Sequence, residues 1–462
     1  MFNKSIFSYS CVLIIFVSTG VCWTQEKCPK RQVSEKLVSQ IDVSSCRVVK
    51  IIPDGKHVVC ASEVKKFLST KWVMVVDGKE EKQYDGLMRD NFIFSPNSKR
   101  FAYAAQIEKK QLVVVDGKEG KQYDGLGANS LIFSPDSKSV AYIAIKDKRW
   151  FVVLDGKEEK QYDGAVSLIF SPDNNRLAYG AFLGKMWFVV TNSEEGKQYD
   201  GIMEKSLVFS PDSKRLAFAS VASNKWFVVV DGEEGNKYDA IGGGSLIFSP
   251  DSKRLAYGAK LGNKWFVVVD GKEGKQYDGL FPPIFSSDSN HLAYIAVESN
   301  KLFVVVNGKE EKLYDGLGLP IFSPDSKRLA YPAIIGSKAF AVIDGKEEKQ
   351  YDKVVDLTFS PDSTHLAYAA VKDKRWFVVL DGKEEKQYDE VGSLIFTPNS
   401  KHLVYGAQAG KKQLVVVDGV EGKPYDGIFL IGGEKIIFDS PDTFHYLAFK
   451  DKAIYQVVET IE

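Results

Sequence analysis

The chain has 462 residues, 44% of them hydrophobic, 26% charged and 12% aromatic, enough apolar material for a large core and a composition that leans towards β-structure. Lysine plus arginine equals aspartate plus glutamate, so the formal net charge is zero. Without a cationic excess to neutralise phosphates, nucleic acid is excluded as the default partner.

The N-terminus differs from the rest. Lys4 precedes an apolar run over residues 11–17, followed by the small residues Ser18, Thr19 and Gly20. This order predicts a secretory signal over residues 1–24, with cleavage between Gly20 and Thr24. Lipidation at Cys22 and retention as an uncleaved anchor are the other readings; Val21 is large for a lipoprotein site, and the run is short for a membrane span. All three place the remaining chain outside the cytoplasm. Any membrane association is through this segment alone. Cys28, Cys46 and Cys60 remain after it. Cys28 and Cys46 are a plausible disulfide pinning the segment 25–45. Cys60, in a slot that later holds Ala or Gly, reads as a small buried hydrophobe.

From residue 46 to 462 one unit recurs. Tyr-Asp falls at Tyr84, Tyr123, Tyr162, Tyr199, Tyr238, Tyr277, Tyr314, Tyr351, Tyr388 and Tyr425, always 37 or 39 residues apart. A Pro-Asp turn, degenerate at the array's ends, lies between successive markers and counts eleven units. Within one unit, Leu246, Ile247 and Phe248 run into Ser249, Pro250, Asp251 and Ser252, a strand ended by a tight turn. An extended stretch from Arg254 to Tyr257 follows, then a turn at Gly262 and Asn263. The run from Trp265 to Val269 is apolar at every position, which predicts an interior strand covered on both faces. Asp270-Gly271 is a hairpin signal, and Gln276 and Tyr277 belong to a shorter, polar strand. Four short strands in about 38 residues predict an all-β propeller blade. Helical repeats would not tolerate Pro and Asp-Gly at these intervals.

The stretch from Phe209 to Phe218, reading F-S-P-D-S-K-R-L-A-F, resembles the WD40-like (PD40) repeat of the TolB-type propellers of bacterial envelopes. The resemblance covers nearly all of the chain after the signal. Only the segment 25–45 separates signal from array, leaving no room for the further domain that TolB-type proteins carry before their propeller. Eleven units can close as one large ring or as two tandem rings. Because single propellers typically have four to eight blades, the expectation favours two rings split near residues 240–245. The last unit lacks its Tyr-Asp strand, which predicts that residues 38–43 supply it and so remove exposed edges.

Exchange between repeats separates structural slots from candidate sites. The five histidines, His57, His291, His365, His402 and His445, share one slot with Arg100, Arg176, Arg215, Arg254 and Arg328. Arginine neither ligates metals nor acts as a base at neutral pH, so the slot reads as structural. Trp72, Trp150, Trp187, Trp226, Trp265 and Trp376 open the third strand of their units. They are either inter-blade packing or an aromatic rim able to stack on sugars or peptides; they are the binding-site candidates. The Asp before Gly in the hairpin suits its turn, and the Asp of Tyr-Asp caps the step into the next blade. The Gly-Lys-Glu-Glu-Lys stretches read as solubilising charges. Glu204, Glu298 and Arg89 break the repeat. No catalytic or metal motif is present, and no cofactor is expected. The expectation is a non-catalytic extracytoplasmic scaffold presenting repeated loops to an envelope or extracellular protein or a glycan. A lyase or glycosidase with its site in the channel, and a purely structural envelope component, are the alternatives.

Overall fold

A computed structural model describes residues 16–17, 30–39, 46–51, 54–66, 69–429 and 436–462. These form eleven antiparallel sheets. Blades 1 to 11 begin at residues 46, 86, 125, 164, 201, 240, 279, 316, 353, 390 and 427. Among the described residues no helix is long and apolar enough to cross a membrane. The signal segment lies outside the described residues apart from Phe16–Val17, which pairs with Val33 and Gln32.

Blade 6 shows how the sequence makes a blade. Ile247–Phe248 pairs with Leu255–Leu261, which pairs with Lys264–Val269 and then Lys272–Glu273. Asp270 and Gly271 take φ of 51° and 77°, the two left-handed residues that a tight hairpin turn requires. Alternate residues of the third strand enter different interfaces. Phe266 and Val268 pack with Ala217 and Val228 of blade 5, whereas Val267 packs with Phe303 and Val305 of blade 7. The strand is apolar throughout because neighbours cover both of its faces.

Each pair of consecutive blades shares an apolar cluster of this kind. A further cluster joins Leu447 and Ile454 of blade 11 to Val58, Cys60, Val73 and Val75 of blade 1. The array is therefore one closed ring of eleven blades, which corrects the expectation of two rings. The proposed split fails physically. Residues 240–241 open the first strand of blade 6, and ending a ring there would strip the cover from Phe266 and Val228.

Both chain ends meet in blade 11. Arg31–Ser39 is its outer strand, antiparallel to Ala453–Ile461. This lies earlier in the chain than residues 38–43, most of which fall outside the described residues. Arg31 and Glu459 form a buried ion pair at 3.1 Å, and the Tyr446 hydroxyl donates to Glu459 at 2.7 Å. Burial pushes the Glu459 carboxyl up against the pull of Arg31.

Candidate functional site

The repeated polar side chains staple the blades together. On the rim carrying the Ser-Pro-Asp turns, the backbone N–H of Asp212 donates to Ser252 Oγ of the next blade at 2.9 Å. The same bond recurs from Asp173 to Ser213 and from Asp325 to Ser363. Arg254 binds Asp270 of its own hairpin at 3.3 Å and lies 5.3 Å over Phe285 of the next blade. Histidine serves the same slot: His365 meets Asp381 at 2.6 Å and its ring stacks 6.3 Å from Phe396. His57 and His402 likewise bind Asp77 and Asp418, His291 binds Asn307, and His445 binds Asp439. The Asp418 contact raises the His402 pKa.

On the opposite rim, Asp239 accepts from Lys225 of blade 5 at 2.6 Å and from the backbone of Gly262 in blade 6 at 2.7 Å. The Lys225 contact holds its carboxyl below the usual range. Around the outside, Lys275 reaches Glu310 of the next blade at 2.6 Å, and Lys312, Lys349 and Lys386 repeat the link to Glu347, Glu384 and Glu421. Lys423 continues the series to Glu35 of the closing strand at 2.6 Å. The Lys-Glu-Glu-Lys stretches are thus inter-blade links, which corrects their reading as solubilising charge alone.

All six candidate tryptophans are half-buried, five at the second residue of their third strands and Trp72 midway along Ser69–Val76. Trp150, Trp187, Trp226 and Trp376 pack against apolar clusters between blades. Trp187 lies 4.6 Å from the Phe182 ring, and Lys260 covers Trp265 at 5.6 Å. Trp72 lies in blade 1, beside Met74 and Leu87. Cys60 is buried in the apolar cluster between blades 11 and 1, as its small-residue slot implies, and is also disulfide-bonded. Cys28 and the side chain of Cys46 lie outside the described residues.

Variation is concentrated in one place, the first strand. First strands of neighbouring blades touch, as between blades 5 and 6 and blades 9 and 10, whereas fourth strands are bridged by long Lys and Glu side chains. First strands therefore line the central channel. They come in two lengths, nine residues in Gly86–Phe94 and seven in Gly164–Phe170, Lys353–Phe359 and Glu390–Phe396. This is the whole origin of the 39- and 37-residue spacings. Each is interrupted by a bulge or break where pairing to the second strand lapses. Left-handed residues stand at that point: Asn129, Ser167, Lys205, Gly244, Asp356 and Ser393. Neighbouring tips meet, Lys205 N–H donating to Ser167 Oγ at 2.8 Å.

The tips do not repeat chemically. Ala128 and Asn129, Glu204 and Lys205, Gly243 and Gly244, Phe281 and Pro282, Leu319, and Asp356 are exposed in successive positions round the wall. Leu319 is 67% exposed and Phe281 43%. Further exposed apolar residues are Leu313 at the end of blade 7 and Ile334 and Ile335 in blade 8. Ile334 is uncovered because its cross-strand partner is Ala339, where most other blades place Trp. The sequence singled out Glu204, which lies on the wall, and Glu298, which lies on the rim 3.5 Å from Lys264. The side chain of Arg89 lies outside the described residues. The signal that sequence reasoning left unused was the mixture of 37- and 39-residue spacings. Among the described residues no group of three or more His, Cys, Asp or Glu is placed to hold a metal.

Clefts between blades, on the rim of the Asp-Gly hairpins, are the second feature. One of about 480 Å³ between blades 7 and 8 is lined by Asn307, Lys309, Glu311, Tyr331 and Asp344. Another of about 480 Å³ between blades 8 and 9 is lined by Asp344, Lys346, Glu348, Tyr368 and Asp381.

No family model matches the chain, and no curated protein does. Among solved structures it is similar to the crystal structure of TolB from Acinetobacter baumannii, at 15% identity over 55% of this chain and 78% of that one, TM-score 0.25. It is similar to the Dos1 propeller at 12% identity, over 63% and 91%, TM-score 0.31. A crystal structure described as the eukaryotic initiation factor matches at 14%, over 71% and 96%, TM-score 0.39. Such likenesses concern the fold alone; the blade count rests on this chain's own sheets.

Proposed function

We propose that the protein is a non-catalytic, extracytoplasmic binding scaffold of the TolB-type repeat family, holding an envelope or extracellular protein or a glycan on its blades. The division between a stapled, repeated frame and a chemically varied channel wall carries this reading. Most of the frame's repeated carboxylates and histidines are already engaged by partners within their blade or in the next one, whereas the exposed wall tips differ from blade to blade. The signal-like N-terminus and the disulfide at Cys60 support an oxidising compartment. The six tryptophans offer an aromatic rim as an additional contact surface.

Immobilised full-length mature protein, exposed to envelope and extracellular fractions, tests this. Saturable retention of one partner, recovered with unchanged mass after prolonged incubation, is the expected result. Conversion of that partner into a product would place an enzyme in the channel instead.

A further inference from the structure

The two clefts flanking blade 8 repeat one set of groups. Lys309, Glu311, Tyr331 and Asp344 of the first stand where Lys346, Glu348, Tyr368 and Asp381 stand in the second. Each cleft pairs a Glu from one blade with a Tyr from the next. The same pair occurs elsewhere in a closed form: Tyr179 donates to Glu159 at 3.0 Å, and Tyr405 to Glu385 at 2.6 Å. Beside blade 8 it is open on both sides, as it is at Glu81 and Tyr103 between blades 1 and 2. The Tyr331 and Tyr368 side chains are each 1% exposed, and their hydroxyls lie beside those of Tyr314 and Tyr351 in the preceding blade without a hydrogen bond of good geometry. A buried hydroxyl left unpaired costs free energy that a suitable ligand recovers.

The open pair defines the ligand group. It must accept from a phenolic O–H and donate to a carboxylate. A hydroxyl does both at one atom, whereas an amide must present two separate atoms, an ammonium only donates and a carboxylate or phosphate only accepts. The remaining walls agree. Val306 and Leu329 in one cleft, and Ile343 and Leu366 in the other, give apolar surface for C–H groups. The cations are balanced by carboxylates, Arg328 binding Asp344 at 3.1 Å, so a net charge on the ligand gains little. The volumes fall within the roughly 300–1,000 Å³ of small-molecule sites. Two equal sites one blade apart suit a ligand that itself repeats, because the second contact is made at high effective concentration.

We propose that the clefts between blades 7 and 8 and between blades 8 and 9 bind two units of one neutral oligosaccharide, spaced by the blade that separates them. This rests on the scaffold reading above and names one ligand class for it. The probes are malto-, cello-, manno- and chito-oligosaccharides, titrated calorimetrically into the full mature chain beside their monosaccharides. At least one series should bind saturably, with the oligomer at least tenfold tighter than the monomer. The double variant Tyr331→Phe/Tyr368→Phe removes only the two hydroxyls. Phe218 already fills this slot in blade 5, so the variant should fold with an unchanged melting temperature. It should lose at least tenfold in affinity, while Tyr179→Phe, in a closed pair, changes nothing. No binding by any series, equal binding by the double variant, or an equal loss in Tyr179→Phe would overturn the proposal. Retention of a partner by the channel wall without sugar binding would overturn the cleft assignment alone. Loss of both would remove the scaffold reading with it.

Discussion

The three outer strands of each blade and the inner strand obey different rules. The outer three keep the same residues in the same slots because each side chain has a neighbour to satisfy: Phe266 faces blade 5, Val267 faces blade 7, and Asp239 bonds both blades it joins. The inner strand faces a neighbour along its edges and open space at its tip, so its length and chemistry vary from blade to blade. The comparison teaches that in a ring of near-identical units a repeated polar residue with a partner is architecture. Recognition is left to the places where repetition lapses, as on the wall, or where a repeated pair stands open, as beside blade 8.

Breaking the frame should cost most at the splice in blade 11. Arg31→Ala leaves Glu459 buried without its cation and should destabilise by about 3–5 kcal/mol, read as a shifted midpoint in denaturant unfolding. Deleting residues 27–45 removes the strand altogether and should lower the melting temperature further still; an unchanged value would deny its part in closure. Phe266→Ala opens a cavity between blades 5 and 6 and should cost about 3–5 kcal/mol. Two tandem rings with blade 6 at a terminus would make that substitution much milder.

A smaller effect is pH-dependent. Asp418 raises the folded pKa of His402, so this contact contributes fully below the unfolded histidine value near 6.5. The contribution is lost as pH rises through the folded pKa. The stability difference between wild type and His402→Gln should be larger at pH 6 than at pH 8.5, by thermal melts in matched buffers. Smallest for stability are the tips. Leu319→Asn, at an exposed position, should change stability by less than about 0.5 kcal/mol while altering what the wall can hold.

The blades were legible in the sequence because their signals are local. Ser249-Pro250-Asp251 and Asp270-Gly271 dictate turns by their own backbone preferences, and the run from Trp265 to Val269 states that both faces are covered. Ring number was not legible, since it depends on the angle at which whole blades pack. Yet a third strand apolar on both faces leaves no terminal blade except at the chain ends. The histidine slot could be read as structural because Arg254 and His365 exchange within it. Glu311 and Glu348 were unreadable as cleft residues, because their partners, Tyr331 and Tyr368, come from the next repeat. The closing strand was foreseeable as a need and misplaced along the chain, because Arg31–Ser39 carries none of the repeat's markers except Glu35 in a fourth-strand role.

Partner retention by two variants in parallel tests the division between frame and wall most directly. One is Phe281→Asn/Leu319→Asn on the wall; the other changes Trp150, Trp187, Trp226 and Trp265 to Ala on the rim, with melting temperatures recorded for both. The account predicts that the wall variant melts like wild type and loses the partner. A wall variant that retains the partner fully, beside a folded rim variant that loses it, would contradict the account and move recognition to the aromatic rim.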